Sequence, residues 1–247
     1  MDQVHRVTRI IDQAFEEKKF CPAVFIDVSQ AFDCVWQEGL LFKLSGILPG
    51  NYCKLLKSYL EERTFCVTFN TATTEKCLIK AGVPQGSVIG PLLYLLYTYD
   101  LPIQENVTTA MFADDTAILS VNKSHAVATD NLQHSINKIA LWCQKWKIKL
   151  NQAKSVHVNF TLRKYRFEPI TMNGQILPES DHAKYLGMYL DSRLNWKHHV
   201  RKKRAEMDIK LRKMYWLLGW NSKLSLYNKR LVYVTILKPI WTYGVQL

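Results

Sequence analysis

No stretch of this 247-residue sequence reaches the roughly 18 uninterrupted apolar residues that a membrane-spanning helix needs. The nearest candidate, PLLYLLYTYDL at 91–101, is about half that length and rich in tyrosine, so it reads as a buried helix. The opening MDQVHRVTRIIDQAF carries Asp2 and Asp12 and no apolar h-region, which argues against a signal peptide. Cys21, Cys34, Cys53, Cys66, Cys77 and Cys143 are scattered without a CxxC pair. Neither a zinc site nor a disulfide framework is signalled, and a reducing, intracellular compartment is expected. The histidines also lack ligand spacing, and there is no internal repeat or low-complexity linker. Acidic residues are scarce too, 21 Asp and Glu against 33 Lys and Arg, which leaves a formal net charge of +12. Such an excess points to a polyanionic partner, either nucleic acid or an anionic membrane surface. Apolar residues make up 48% of the chain, enough for a sizeable core and against wholesale disorder.

Hydrophobic spacing predicts an amphipathic helix over 2–17 through Val4, Val7, Ile11 and Ala14/Phe15, ended by Pro22. AVFIDV at 23–28 reads as a short buried strand that leads through a turn into a helix. A second helix follows Pro49, Gly50 and Asn51, then a hairpin across the polar turn 70–74, then the loop GVPQGSVIGP and the 91–99 helix. Leu132, Ile136, Ile139, Cys143, Trp146 and Leu150 step by threes and fours, marking a long helix that should end at Asn151, with Trp142 and Trp146 in the core. SVHVNF and KYLGMYLD read as strands, and from Asn195 the pattern is helical and basic. This mixture without strict βαβ alternation predicts an α+β fold, with helices packed on one face of a small antiparallel sheet. The composition shift near residue 193 is the plausible domain boundary, giving units of 1–192 and 193–247.

AMFADDTAILS at 110–120 sets Asp114 and Asp115 inside an apolar run. Removing two like charges from water together is costly unless something cationic neutralises them. One reading is an Asx turn at a hairpin tip, with both side chains solvated. The other is that the pair meets Asp27, which ends the buried strand. Three hard oxygen donors suit Mg²⁺, which prefers octahedral oxygen ligation and keeps positions for water and phosphate. Two such ions about 4 Å apart clamp the attacking and leaving oxygens of an in-line phosphoryl displacement. The basic charge would then hold the phosphodiester polymer whose end reacts. WKHHVRKKRAEMDIKLRKMYW at 196–216, with Arg201, Lys202 and Arg204 on its basic face and Trp196, Leu211, Tyr215 and Trp216 interleaved, fits that role. A merely solvated helix face is the competing reading, and RKKR is also a weak nuclear-import pattern.

AVFIDVSQAFDCVW, AGVPQGSVIGPLLYLLYTYDLP and MFADDTAILS, in this order, resemble the palm motifs of reverse transcriptases. WCQKWKIKLNQAKS and KYLGMYLD extend the likeness, which is closest to the polymerases of jockey-type non-LTR retrotransposons. The resemblance implies a polymerase palm with residual fingers over 1–192 and a partial, basic helical thumb over 193–247. It implies Asp27 and Asp114 as principal metal ligands, Asp115 in support, and the Val28 carbonyl as a backbone ligand for two Mg²⁺ ions, with Mn²⁺ as a substitute. Phe32 matches an aromatic that blocks a ribose 2′-hydroxyl, although a core aromatic explains it equally well. Asp33 reads as a local cap or pairing group. Gln85 and Gly86 match a loop that touches the incoming nucleotide, Gly86 by permitting close backbone approach and Gln85 by offering both a donor and an acceptor. Lys154 would lie near the leaving pyrophosphate or be simply solvated. Tyr185 and Gly187 match a turn that grips the primer end, although strand packing also explains Tyr185. The implied partners are an RNA template, a DNA primer and dNTPs, with no membrane. The implied setting is a ribonucleoprotein in cytoplasm and nucleus, with further fingers and endonuclease regions in a parent polyprotein. A catalytically inactive nucleic-acid-binding remnant, or another two-metal phosphotransferase such as a nucleotide cyclase or nuclease, are the alternatives.

Overall fold

The structure, a computed structural model, describes residues 2–163, 165 and 168–247. The first half runs α1 (Asp2–Glu16), β1 (Cys21–Ile26), α2 (Gln37–Ser45), α3 (Gly50–Leu60), the two-residue strands β2 (Thr64–Phe65), β3 (Thr68–Phe69), β4 (Ala72–Thr73) and β5 (Cys77–Leu78), and α4 (Ile89–Thr98). The hairpin β6 (Val107–Phe112) and β7 (Asp115–Ser120), α5 (His125–Lys145), β8 (Val156–Phe160), and the pairs β9 (Thr171–Met172)/β10 (Gln175–Ile176) and β11 (His182–Tyr185)/β12 (Met188–Asp191) follow. The C-terminal helices are α6 (Lys197–Lys213), α7 (Tyr215–Leu218), α8 (Leu226–Val232) and α9 (Lys238–Thr242), with a π-helical turn at Tyr233–Leu237.

The central sheet has the order β6-β7-β1-β8 and is antiparallel throughout. Every residue of β1 is buried, so this strand needs cover on both faces. Ala23 and Phe25 face Val4, Val7 and Ile11 of α1 together with Ala183, Tyr185 and Leu190 of the β11–β12 hairpin. Val24 and Ile26 face Leu132, Ile136 and Ile139 of α5. The expectation of helices on a single face is therefore corrected: the sheet is a middle layer. Pro22 lies inside β1 and not before it. It lacks the N–H that would continue the ladder toward β7, which resumes at Ala23↔Leu119 after the Phe20↔Asn122 bridge.

One further boundary and one burial pattern differ from the periodicity. Helix α5 stops at Lys145, and Lys147 turns the chain through a left-handed φ of 54° into the Val28↔Leu150 bridge. Helix α4 buries Leu93, Tyr94 and Tyr97 but exposes Leu92 and Leu95, so it is one-sided. Its inner face meets Lys43 of α2, a buried ammonium that donates to the Tyr97 carbonyl at 2.6 Å and pairs with Asp100. The Trp146 ring lies 3.8 Å from that ammonium, so cation–π attraction helps to offset its desolvation. This contact ties α2, α4 and the end of α5 into one cluster, the platform on which the 29–36 and 82–90 loops rest.

Candidate active site

The sheet register brings the carboxylates together. Ile26 pairs with Thr116, and extending that antiparallel register by one residue sets Asp27 opposite Asp115. Cross-strand neighbours of this kind share a face, with Cβ atoms about 4.5–5.5 Å apart. Asp27 and Asp115 line one cavity of about 510 Å³, whose far wall is the β11–β12 hairpin with His182, Lys184, Gly187 and Tyr189, and whose rim includes Lys154. Asp114 is exposed at the tip of the β6–β7 hairpin, outside that lining. The register puts Asp115 across from Asp27, and Asp114, ranked above it from sequence, stands one residue earlier in the turn. Ala113, the other turn residue, adopts φ 52°, a left-handed conformation that costs an alanine about 1–2 kcal/mol. Strain of this kind concentrates at functional sites.

Burial pushes the Asp115 carboxyl above its usual range, and the charges of Asp114 and Asp27 push it further. A hydrogen bond from the Leu186 backbone and the Lys184 ammonium only partly oppose this. The donor set therefore fits a hard divalent cation, which would relieve the repulsion among the three acids. Among the described residues, no three His, Cys, Asp or Glu side chains stand close enough to form a ready-made metal cage.

Because the folded chain holds the Asp115 proton more tightly than the unfolded chain does, stability falls as pH rises through the carboxylate range. Asp115→Asn is accordingly expected to raise the thermal midpoint of the metal-free protein at pH 7, with the gain shrinking on acidification. Thermal unfolding monitored by circular dichroism checks this, and a lower midpoint at pH 7 would contradict it.

Asp27 is clamped through its backbone. Its N–H donates to Ser155 Oγ at 3.1 Å, and its carbonyl accepts from the Asn151 N–H at 2.8 Å. Ser155, fully buried, donates in turn to the Asn151 carbonyl at 2.7 Å. Neither residue was singled out from sequence, where KLNQAKS pointed only to Lys154. Val28 is the non-hydrogen-bonded partner of Leu150, flanked by Ser29 N–H→Lys149 O and Asn151 N–H→Asp27 O, so its own carbonyl is turned away from that bridge.

The expected nucleotide-loop residues cluster on the α2–α4 side. Phe32 is half-buried with its ring 4.8 Å from Tyr94. Gln85 and Gly86 are exposed, and Gln85 donates to Asp33 Oδ1 at 2.7 Å, so Asp33 pairs across 52 residues with the second loop and not with a sequence neighbour. Gly82 N–H→Val35 O and Val83 N–H→Phe32 O lace the two loops together, both at 2.8 Å. A Cβ at Gly82, whose φ is 86°, would sit 2.7 Å from the Asp33 carbonyl, so only glycine fits this crossing.

For Tyr185 the structure displays the strand packing that is one of its two readings. Tyr185 is 1% exposed, and its hydroxyl donates to the Ala110 carbonyl at 3.1 Å. Alternation along β11 turns it into the core and leaves Lys184 exposed, so Tyr185 supports the hairpin while also contributing to the cavity lining beside Lys184. Arg201, Lys202 and Arg204 are exposed on α6, whose one buried residue is His199. His199 Nδ1 accepts from the Tyr189 N–H at 3.2 Å and seats the helix on β12. Trp196 is half-buried against the core beneath this helix, whereas Leu211, Tyr215 and Trp216 are exposed.

Residues 1–190 match the family model described as "Reverse transcriptase (RNA-dependent DNA polymerase)". The chain belongs to the reverse transcriptase family. Its whole length is 42% identical to the probable RNA-directed DNA polymerase from transposon X-element of Drosophila melanogaster. It is likewise 40% identical to the probable RNA-directed DNA polymerase from transposon BS and 36% to that from mobile element jockey, both of Drosophila melanogaster. The likeness to jockey-type reverse transcriptases seen in the motifs thus extends along the entire chain. The chain spans 28% of the length of each of these relatives. Its fold is that of telomerase: apo Candida tropicalis telomerase superposes with a TM-score of 0.54 at 15% identity over 78% of this chain and 38% of that one. The Candida tropicalis telomerase in complex with a TWJ fragment of telomeric RNA also gives 0.54, at 14% identity, covering all of this chain and 43% of that one. Among the described residues no helix is long and apolar enough to cross a membrane.

Proposed function

We propose that this chain supplies the catalytic core of RNA-templated DNA synthesis, joining a dNTP to the 3′-hydroxyl of a DNA primer. The observation that carries the reading is the register that sets Asp27 opposite Asp115 in one cleft of a reverse transcriptase chain, with Asp114 next to them at the hairpin tip. In the reaction the 3′-oxygen forms a bond to the α-phosphorus, the α–β phosphoanhydride bond breaks, and pyrophosphate leaves. Asp27, Asp114, Asp115 and the Val28 carbonyl would hold two Mg²⁺ ions, or Mn²⁺ in their place. These ions supply Lewis-acid stabilisation of the attacking and leaving oxygens. Phe32 would stand against a ribose 2′-hydroxyl, Gln85 and Gly86 would bound the nucleotide site, and Lys154 would place positive charge beside the departing pyrophosphate. The Leu186–Gly187 turn would meet the primer end, and Arg201, Lys202 and Arg204 would hold the template–primer duplex by its phosphates. In this reading residues 1–192 are palm with residual fingers and 193–247 a basic thumb, working inside a larger polyprotein. The free thiols of Cys21, Cys34, Cys53, Cys66, Cys77 and Cys143 support a reducing intracellular setting, cytoplasmic and nuclear as a ribonucleoprotein.

The test is extension of a DNA primer annealed to an RNA template, with dNTPs and Mg²⁺. Template-dictated product that disappears on chelation with EDTA is expected. Strand cleavage or cyclic nucleotide without extension would favour a different phosphotransferase, and binding without either would make the chain a nucleic-acid-binding remnant.

A further inference from the structure

The turn between β11 and β12 is held in an unusual conformation. Both of its central residues are left-handed, Leu186 at φ 47° and Gly187 at φ 78°. A two-residue hairpin turn of this kind favours Asn, Asp or Gly at both positions, so Leu186 sits there against its own preference. Something must over-determine it.

On one side, the turn borders Asp115: Leu186 and Gly187 line both of the cavities that Asp115 lines. On the other, the Tyr243 hydroxyl donates to the Leu186 carbonyl at 2.7 Å. The Tyr243 ring lies flush on Gly187, where a Cβ would meet it at 3.2 Å. The next residue, Gly244, is also left-handed at φ 82°, and a Cβ there would collide with the Met188 side chain. A Cβ at either glycine would press on a side chain across this contact, a measure of how closely the C-terminal segment lies on the hairpin. Phe112, Asp115, Leu186, Gly187 and Tyr243 line a second cavity of about 580 Å³, so Asp115 borders open space on both sides of this turn.

We infer that Tyr243 is a positioning residue for the primer-facing turn: docked on Gly187 and bonded to the Leu186 carbonyl, it holds the Leu186–Gly187 turn against the Asp115 cleft. This rests on the polymerase reading only in what the turn is taken to touch. The latch itself joins the C-terminal segment to the carboxylate cleft whatever substrate occupies it. Lys203 of α6 lies 5.7 Å from the Tyr243 ring, so the basic helix borders the same latch.

Tyr243→Phe tests the inference, because it removes the hydroxyl and keeps the ring over Gly187. Exchange of the Leu186 amide proton, followed by NMR, should quicken about three- to tenfold, the range expected for one net hydrogen bond. The KM for primer–template should rise by a similar factor, with the KM for dNTP unchanged. Tyr243→Ala, which removes the ring as well as the hydroxyl, should reproduce both effects. A merely structural role would lower the melting temperature without splitting the two KM values, and that pattern would overturn the inference. An unchanged Leu186 exchange rate in both variants would also overturn it. If exchange quickens but even the unmodified chain fails to extend a primer, the latch stands and the polymerase reading falls.

Discussion

Asp27→Asn is expected to lower RNA-templated primer extension by more than about a hundredfold without unfolding the protein. Loss of a group that merely supports a metal ligand already costs about 10- to 100-fold, and Asp27 is read here as a ligand itself. Asparagine keeps the side chain's shape but removes the charge that would hold a divalent cation. The two bonds that fix this residue, to Ser155 Oγ and from the Asn151 N–H, use its backbone and survive the substitution. Single-turnover extension beside a circular dichroism melt separates chemistry from folding. Near-normal extension by the variant would remove Asp27 from the mechanism. Collapse of the melting transition would show that its charge supports the fold.

The second large effect concerns salt. Helix α6 carries Lys197, Arg201, Lys202, Lys203, Arg204, Lys210, Arg212 and Lys213 against Glu206 and Asp208. The ion pair found on this helix among the described residues is Lys203–Glu206 at 3.1 Å, which leaves Arg201, Lys202 and Arg204 exposed for phosphates. Each phosphate contact releases condensed counterions, so affinity for an RNA–DNA duplex should fall steeply with ionic strength. Replacing Arg201, Lys202 and Arg204 together with Gln should flatten the log–log salt slope by about two to three units. Sequence preference should hardly change, since phosphate contacts position a duplex without reading its bases. Fluorescence anisotropy across a salt series measures this directly. An unchanged slope would make α6 a solvated face and place the polyanion site elsewhere.

Much of the fold was legible because its signals are local. The unbroken apolar run of β1, the apolar strands around the two aspartates and the three–four spacing of α5 each identify an element without reference to distant residues. Pairing was less legible. That Asp115 lies across from Asp27 depends on the Ile26↔Thr116 register, which no local pattern encodes. The same limit left the direction of Tyr185 open between primer contact and strand packing, and the β11–β12 register turns it inward. Ser155 looks like an ordinary serine until β8 is paired with β1 and its hydroxyl reaches Asp27 across 128 residues of chain. Tyr243 meets Leu186 across 57 residues, and no hydrophobic period announces that contact.

Asp114 separates the central claim from its plainest competitor. Exposed at the hairpin tip, it is what a solvated turn residue looks like, and it is also the acid whose charge acts on Asp115. The decisive measurement is extension of a DNA primer on an RNA template by this chain and by Asp114→Asn side by side, with the product sequenced. The account predicts template-copied, Mg²⁺-dependent DNA from the unmodified chain and a loss of more than about a hundredfold in the variant. Equal extension by both, or equal background from both, would contradict it.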